Sequence, residues 1–273
     1  MENHIYKVQI MIIFSYLCCS NIKNKISMDF LTKRRSIRRY KTEDISNELL
    51  NSLLYKAERT QTMGNMQLYS VVVTRSPEMK AALAPVHFNQ PMVTSAPVVL
   101  TFCADFNRTV KWCSYRDAQS GYDNLLSLMN AVSDTLLYTQ TFSCLAEEAG
   151  LGICYLGTTL YNAGQIVDIL KLPKLVLPVA TLTLGYPDEC PPQTDRLPLE
   201  ALVHQEVYQD YTEQSINDFY RTKEDLPENI EFVKVNQKQT LAQVFAEIRY
   251  NKADNEAISE VLLETLKKQG FLR

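Results

Sequence analysis

The sequence predicts an α+β fold. Segments with a 3.6-residue apolar period outnumber β-branched runs, and the strands do not alternate strictly with helices as a doubly wound sheet requires. The 273 residues suffice for one large domain or two small ones, with a sizeable core. Hydrophobic residues at 46 % and charged residues at 22 % are an ordinary globular composition, which argues against a disordered chain.

Residues 1–27 stand apart. Tyr6 to Cys19 is largely apolar but shorter than the roughly 20 residues a membrane helix needs. A signal peptide is disfavoured by Glu2, by Lys7 as the only nearby cation before the apolar run, and by the lack of an A-x-A site. Met28 falls just before the first patterned segment. Residues 1–27 are therefore expected to be a non-core extension, an over-long start being favoured over a weak export or anchor signal.

Ser46 is placed to N-cap a helix running to about Glu58. Thr60 to Asn65 reads as a polar loop, Tyr69 to Val73 as a strand, and Pro77 as the opening of a short helix. Ala96 to Cys103, bounded by proline, reads as a buried strand. From about Gly121 to Ala149 apolar residues occur on nearly all sides, which predicts a helix buried all round, in a core or between subunits. Gly150 is placed as its C′ glycine. Gly152 to Gly157 is a short strand, Tyr161 to Leu170 a helix stopping near Pro173, and Val176 to Leu184 another buried strand. After Gly185, the prolines 187, 191, 192 and 198 make an extended arm. Helices follow at about 209–222, 240–250 and 254–268, the last ended by Gly270. Residues 28–200 are expected to form the core, and 201–273 a helical extension wrapped over the core or a partner.

The formal net charge of −3 argues against a nucleic-acid binder. Seven cysteines without a CxxC pair, and only three histidines, offer no zinc spacing. No metal is expected, and scattered cysteines with mostly apolar neighbours suggest a reducing compartment.

Arg34-Arg35-Ser36-Ile37-Arg38-Arg39 is the sharpest local feature. Guanidiniums are planar bidentate donors suited to phosphate. Alone, the run fits an anion site, a solvated basic helix end or a nucleic-acid patch equally well. Thr60 to Gln67 supplies hydroxyls, amides and a glycine ahead of a strand, and alone reads as an ordinary turn. Gly150 to Gly157 has the glycine spacing of a dinucleotide loop, but a helix precedes it and a strand follows, so a Rossmann site is rejected. His87, between Val86 and Phe88, is expected to be structural. No nucleophile or acid–base motif is present, which is consistent with chemistry carried by a cofactor and equally with no catalysis.

Taken in order, these segments resemble the FMN-dependent nitroreductase family over roughly Asp29 to Phe271, and are most similar to its oxygen-insensitive type A branch. The resemblance rests on RRSIRRY, Cys103-Ala-Asp-Phe-Asn-Arg108, Gln140 ahead of Gly150-Leu-Gly152, Tyr155-Leu-Gly157, Asp195-Arg196-Leu-Pro198 and Lys268-Gln-Gly-Phe271. It implies a mainly antiparallel central sheet flanked by helices, in an intertwined cytoplasmic homodimer whose two FMN sites lie at the interface. It further implies that Arg34, Arg35, Ser36 and Arg38 hold the FMN phosphate and ribityl chain. Thr62, Gly64 and Gln67 would meet the flavin from the other subunit, and Gln90 would border the substrate pocket. Tyr155, Leu156, Gly157 and Thr158 would face the isoalloxazine, and Arg196 the phosphate or pyrimidine end. Arg221 and Lys223 loosely match the region that reads the NADPH 2′-phosphate, and are equally ordinary on a surface helix end. NADPH or NADH would donate hydride to FMN, and a nitroaromatic, quinone or flavin would accept it by a ping-pong scheme. No protein residue need be catalytic, and neither nucleic acid nor membrane is an implied partner. Thr194 departs from the family's usual lysine, which leaves a second reading open: a flavin-binding storage or sensing module with little turnover.

Overall fold

A computed structural model describes residues 29–272; the reading of residues 1–27 lies outside them. The chain divides into two units after Arg34. In the first, α1 (Asp29–Lys33) is a short helix, and the Arg34 amide donates to the Leu31 carbonyl at 3.4 Å.

The second unit carries everything else. Its strands are β1 (Tyr69–Thr74), β2 (Val98–Asp105), β3 (Gly152–Leu156) and β4 (Val176–Gly185). They form one sheet in the order β1-β2-β4-β3, with every neighbouring pair antiparallel. The helices of the core are α2 (Asn47–Ala57), α3 (Pro77–Leu83), α4 (Pro91–Ser95), α5 (Asn107–Ser114), α6 (Leu125–Glu148) and α7 (Ala163–Leu170). The tail adds α8 (Glu213–Glu224), α9 (Pro227–Val235), α10 (Leu241–Gln243) and α11 (Lys252–Gln269). The expected α+β class holds.

β2 is buried at every position because both faces of the sheet are covered. Val98, Leu100 and Phe102 pack with Leu50 and Leu53 of α2 and with Tyr138 and Phe142 of α6. Val99 packs in the opposite cluster with Leu83 of α3, Val93 of α4 and Ile166 of α7. This alternation is the period of two that a strand imposes on its side chains. Pro178 sits in the central strand β4, where its missing N–H would normally break a ladder. It is accommodated at a bulge: opposite Phe102 and Cys103, the β4 partners skip from Ala180 to Pro178.

Ser46 caps α2 as expected, its hydroxyl accepting from the Leu49 amide at 3.1 Å. Gly150 takes the left-handed conformation at φ 80°, ending the turn after α6, and Gly270 does the same after α11 at φ 83°. Beyond Gly270, Phe271 is fully buried against Leu177 and Phe106. The Gln269 side chain fixes this end by donating to the carbonyls of Pro173 (2.8 Å) and Val176 (2.6 Å).

Three expectations are corrected. α6 starts at Leu125 rather than near Gly121, because Asn124 caps it; within the single chain one of its faces is buried. Leu125, Leu126, Met129, Leu136 and Leu137 are exposed along the other. On the buried face Thr135, Thr139 and Ser143 each donate to the carbonyl four residues back, so these hydroxyls are satisfied within the helix. The expected helix at 240–250 breaks into α10 and a π-helical turn, Val244–Arg249. α1, α4, α5 and α9 have no counterpart in the sequence reading, although proline at the first position opens both α4 and α9. Among the described residues no helix is long and apolar enough to cross a membrane.

Candidate functional site

The basic segment lies across the end of the sheet. The Ile37 amide donates to the Ile153 carbonyl of β3 at 2.9 Å, and the Lys41 amide to the Tyr186 carbonyl at 2.9 Å. The Tyr40 hydroxyl donates to the Ile37 carbonyl (2.6 Å) and shares a 2.7 Å hydrogen bond with the Thr183 hydroxyl. Burial pushes the Tyr40 phenol well above its ordinary range, so it stays a neutral hydroxyl. Two glycines make room for this crossing. A Cβ on Gly152 would stand 2.7 Å from Ile37, and one on Gly185 would stand 2.8 Å from Tyr40 and Pro97. Ile37 and Tyr40 therefore sink into the core, while Arg35 and Ser36 are half-buried and Arg38 and Arg39 exposed.

Glu189 clamps the segment from the other side. Its carboxylate accepts from the amides of Arg38 (2.5 Å) and Arg39 (3.0 Å), and pairs with the Arg39 guanidinium at 3.3 Å. The Arg38 amide, then the Arg39 amide and charge, hold this carboxyl below the usual carboxylate range. The Arg38 backbone is thus fixed while its side chain faces solvent. Arg34 belongs to the N-terminal unit, so the structure describes it apart from these residues.

At the far end of β3, four residues beyond Ile153 and so about 13 Å along the strand, Gly157 is exposed and a Cβ there would meet nothing within 4 Å. Leu156 is buried in the core, and Tyr155 meets Ser143 (3.2 Å) and Gln140 (3.4 Å) of α6 through its hydroxyl. Thr158 is brought to Gln90 by a residue that sequence reasoning set aside. Its hydroxyl stands 2.8 Å from His87 Nδ1, and the His87 carbonyl accepts from the Gln90 side chain at 3.1 Å. Burial lowers the His87 pKa from 6.5 to about 4, so the ring is neutral at physiological pH.

The polar loop forms a second group. Gly64, Asn65 and Gln67 all adopt positive φ, at 54°, 57° and 49°. Such a conformation is strained for non-glycine residues and needs outside support. The buried Asp134 of α6 supplies it, accepting from the amides of Met63 (2.8 Å) and Leu68 (3.2 Å) and so pinning both ends of the loop. Arg108 donates to the Gln67 carbonyl and, at 3.4 Å, to that of Tyr69. Thr62 enters this loop half-buried. Thr141 of α6 reaches Thr60 at 3.0 Å, so the helix that anchors the loop also meets Tyr155 through the neighbouring Gln140.

The third group is on the C-terminal arm. Arg196 and Lys223 line a cleft of about 660 Å³ with Leu197, Ile216, Tyr220 and Phe245. Lys223 pairs with Asp195 at 2.9 Å, and Arg196 is held by the Thr194 hydroxyl at 2.7 Å and the Asp195 carbonyl at 2.8 Å. Arg221 points elsewhere and pairs with Asp218 on its own helix. Glu189, Asp134, Arg108 and His87 were missed as site-forming residues. Only Arg108 carried a signal, as the last residue of Cys103-Ala-Asp-Phe-Asn-Arg108.

Residues 31–186, spanning the basic segment, the polar loop and all four strands, match the Nitroreductase family. The chain belongs to the nitroreductase family. An oxygen-insensitive NADPH nitroreductase from Salmonella typhimurium is 34 % identical over 183 residues, covering 67 % of this chain and 75 % of the relative. An NAD(P)H-linked FMN reductase from Bacillus subtilis is 33 % identical over 180 residues, 65 % of this chain and 72 % of the relative. A crystal structure from Bacteroides fragilis, provisionally named an oxidoreductase, is 59 % identical with a TM-score of 0.89, over 90 % of this chain and 100 % of that one. This nitroreductase extends past the family match into α8 to α11, and the Bacteroides structure aligns along most of that length too.

Proposed function

We propose that this nitroreductase is an FMN-dependent oxidoreductase passing hydride from NADPH or NADH to nitroaromatic, quinone or flavin acceptors. The observation that carries the reading is the layout of β3. A cationic segment is hydrogen-bonded at one end and an open glycine backbone stands at the other, which suits an elongated ligand with an anionic tail. The curated relatives, named for NADPH, nitro reduction and FMN, support the same chemistry.

The residues fit FMN as follows. Arg35, Ser36 and Arg38 would hold the phosphate and ribityl chain, and Glu189 fixes the Arg38 backbone through its amide. Leu156, Gly157 and Thr158 would present backbone to the isoalloxazine, Tyr155 steadies that strand against α6, and Gln90 would border the acceptor space. Thr62, Gly64 and Gln67 would approach from the partner subunit, and Arg196 and Lys223 would read the pyrimidine end or the NADPH phosphate, with Arg221 at that region's edge. When bound, FMN would supply the redox chemistry, carrying reducing equivalents between the nicotinamide donor and the acceptor. The chain's own groups bind, orient and exclude water, and none need act as acid or base.

A homodimer completes the site. Leu126, Met129, Leu136 and Leu137 form an apolar stripe on a helix whose opposite face is already packed, and Leu202 and Val207 are exposed on the arm. Residues 28–200 form the FMN-binding core and 201–273 the extension that embraces the partner. The free cysteines Cys103, Cys113, Cys144 and Cys190 support a reducing, cytoplasmic setting. The test is the visible absorbance spectrum of the purified protein before and after anaerobic NADPH. A flavin spectrum that bleaches supports the proposal. A bound flavin left oxidised by both nicotinamides points to storage or sensing, and a colourless protein that takes up no FMN rejects the site.

A further inference from the structure

We propose that His87 is a positioning residue that holds the Thr158 hydroxyl as a hydrogen-bond donor toward the ligand beside Gly157, and so sets the geometry of the acceptor space; this rests on the reading of that end of β3 as the flavin and acceptor pocket. His87 is wholly buried in the turn before Gln90. Its Nδ1 lies 2.8 Å from Thr158 Oγ1, whereas Nε2 is buried with no hydrogen-bond partner among the described residues. A neutral imidazole carries one N–H and one bare nitrogen. The low pKa keeps the ring in that neutral state. Placing the proton on Nε2 would bury an unsatisfied N–H, which costs more than burying an under-used acceptor. The proton therefore sits on Nδ1 and is donated to Thr158.

That choice fixes the polarity of the threonine. A hydroxyl that accepts from His87 keeps its own proton for another partner, and Thr158 follows directly on the open Gly157 backbone. The same contact braces the facing turn. Asn162 donates to the Val86 carbonyl at 2.6 Å, and Gln90 to the His87 carbonyl at 3.1 Å. The Asn162–Val86 and His87–Thr158 bonds thus tie residues 86–90 to residues 158–162, and with Gln90 held to the His87 carbonyl they keep Gln90 and Thr158 at a fixed spacing. His87 touches neither flavin nor acceptor in this arrangement; it acts through Thr158 and Gln90.

The experiment has two arms on the full chain. With ¹⁵N-labelled protein, long-range ¹H–¹⁵N correlation reads the tautomer directly, and His87→Asn identifies the His87 signal among the three histidines. The Nδ1-protonated tautomer at pH 7 is expected; an Nε2–H tautomer or an imidazolium overturns the proposal. In the second arm, steady-state kinetics compare His87→Leu and His87→Asn in FMN-loaded protein, with menadione as acceptor. His87→Leu removes the donor and is expected to raise the acceptor KM by about 2- to 10-fold, the worth of one neutral hydrogen bond, with flavin content unchanged. His87→Asn, whose Nδ2 takes the place of Nδ1, is expected to restore the KM to within about twofold of the starting protein. An unchanged KM in the leucine variant overturns the proposal. Where that variant fails to fold, Thr158→Val reads the same loss. A chain that binds no FMN defeats the flavin reading, and the tautomer measurement then still decides the role of His87.

Discussion

Arg38 is the residue on which the anion site turns. Its amide is held by Glu189 and its guanidinium is exposed, so Arg38→Ala removes the charge and leaves the fold intact. A charge-assisted hydrogen bond contributes roughly 1.5–3 kcal/mol, so the FMN Kd is expected to rise about 10- to 100-fold by fluorescence titration. Flavin that survives extensive dialysis of the variant would move the phosphate site elsewhere. His87 carries a different signature. Its folded pKa of about 4 lies below the ordinary 6.5, so between those values the unfolded chain binds a proton that the native chain refuses. Stability from this residue is complete above about pH 6.5, falls as the pH drops toward 4, and is level below that. Urea unfolding at pH 6.5 and pH 5 is expected to show a loss of about 2 kcal/mol that His87→Asn lacks. Equal losses in both proteins would place the titration on another group.

At the scale of elements, the site depends on how closely a loop approaches a strand. Gly185→Ala puts a methyl against Tyr40 and Pro97, and the basic segment must lift to admit it. Overpacking of this kind costs about 1–3 kcal/mol. The expected result is a lower Tm together with weaker FMN retention; weaker retention at an unchanged Tm would mean that the segment moves without strain. Asp134→Ala frees two amides at the ends of a loop whose residues sit at positive φ. Faster hydrogen exchange across residues 62–68, with little change in the sheet, is expected. Much at this scale was legible. Ser46, Gly150 and Gly270 are local stop and start signals, and β-branched runs mark β1, β2 and β4 without reference to anything distant. α9 was not legible although Pro227 marks its start, because Ile230, Phe232, Val233 and Val235 keep neither a clean helical nor a clean strand period. Asp134 was invisible for another reason. Its partners are backbone amides 71 and 66 residues away, and a backbone amide leaves no mark in the sequence.

At the scale of the whole molecule, the exposed stripe of α6 has the composition of a buried surface. Leu137→Glu is expected to shift sedimentation from dimer to monomer and to lower flavin content with it, since the polar loop would then lose its partner's pocket. A dimer that persists with bound FMN would place the interface elsewhere. The apolar residues on nearly all sides of the 121–149 segment hinted at this face, whereas the strand order β1-β2-β4-β3 could not be read, because pairing is set by register between distant segments rather than by local composition. That order has a kinetic consequence. The central strand β2 has β1 on one side, close in sequence, but its other edge is filled only by β4, after α5, α6, β3 and α7 have been traversed. During synthesis a strand that ends buried at every position therefore waits with one edge unsatisfied, open to pairing with another nascent copy. Refolding from denaturant should be slow and its yield should fall steeply with protein concentration, because that edge stays open until residues 176–185 pair with it.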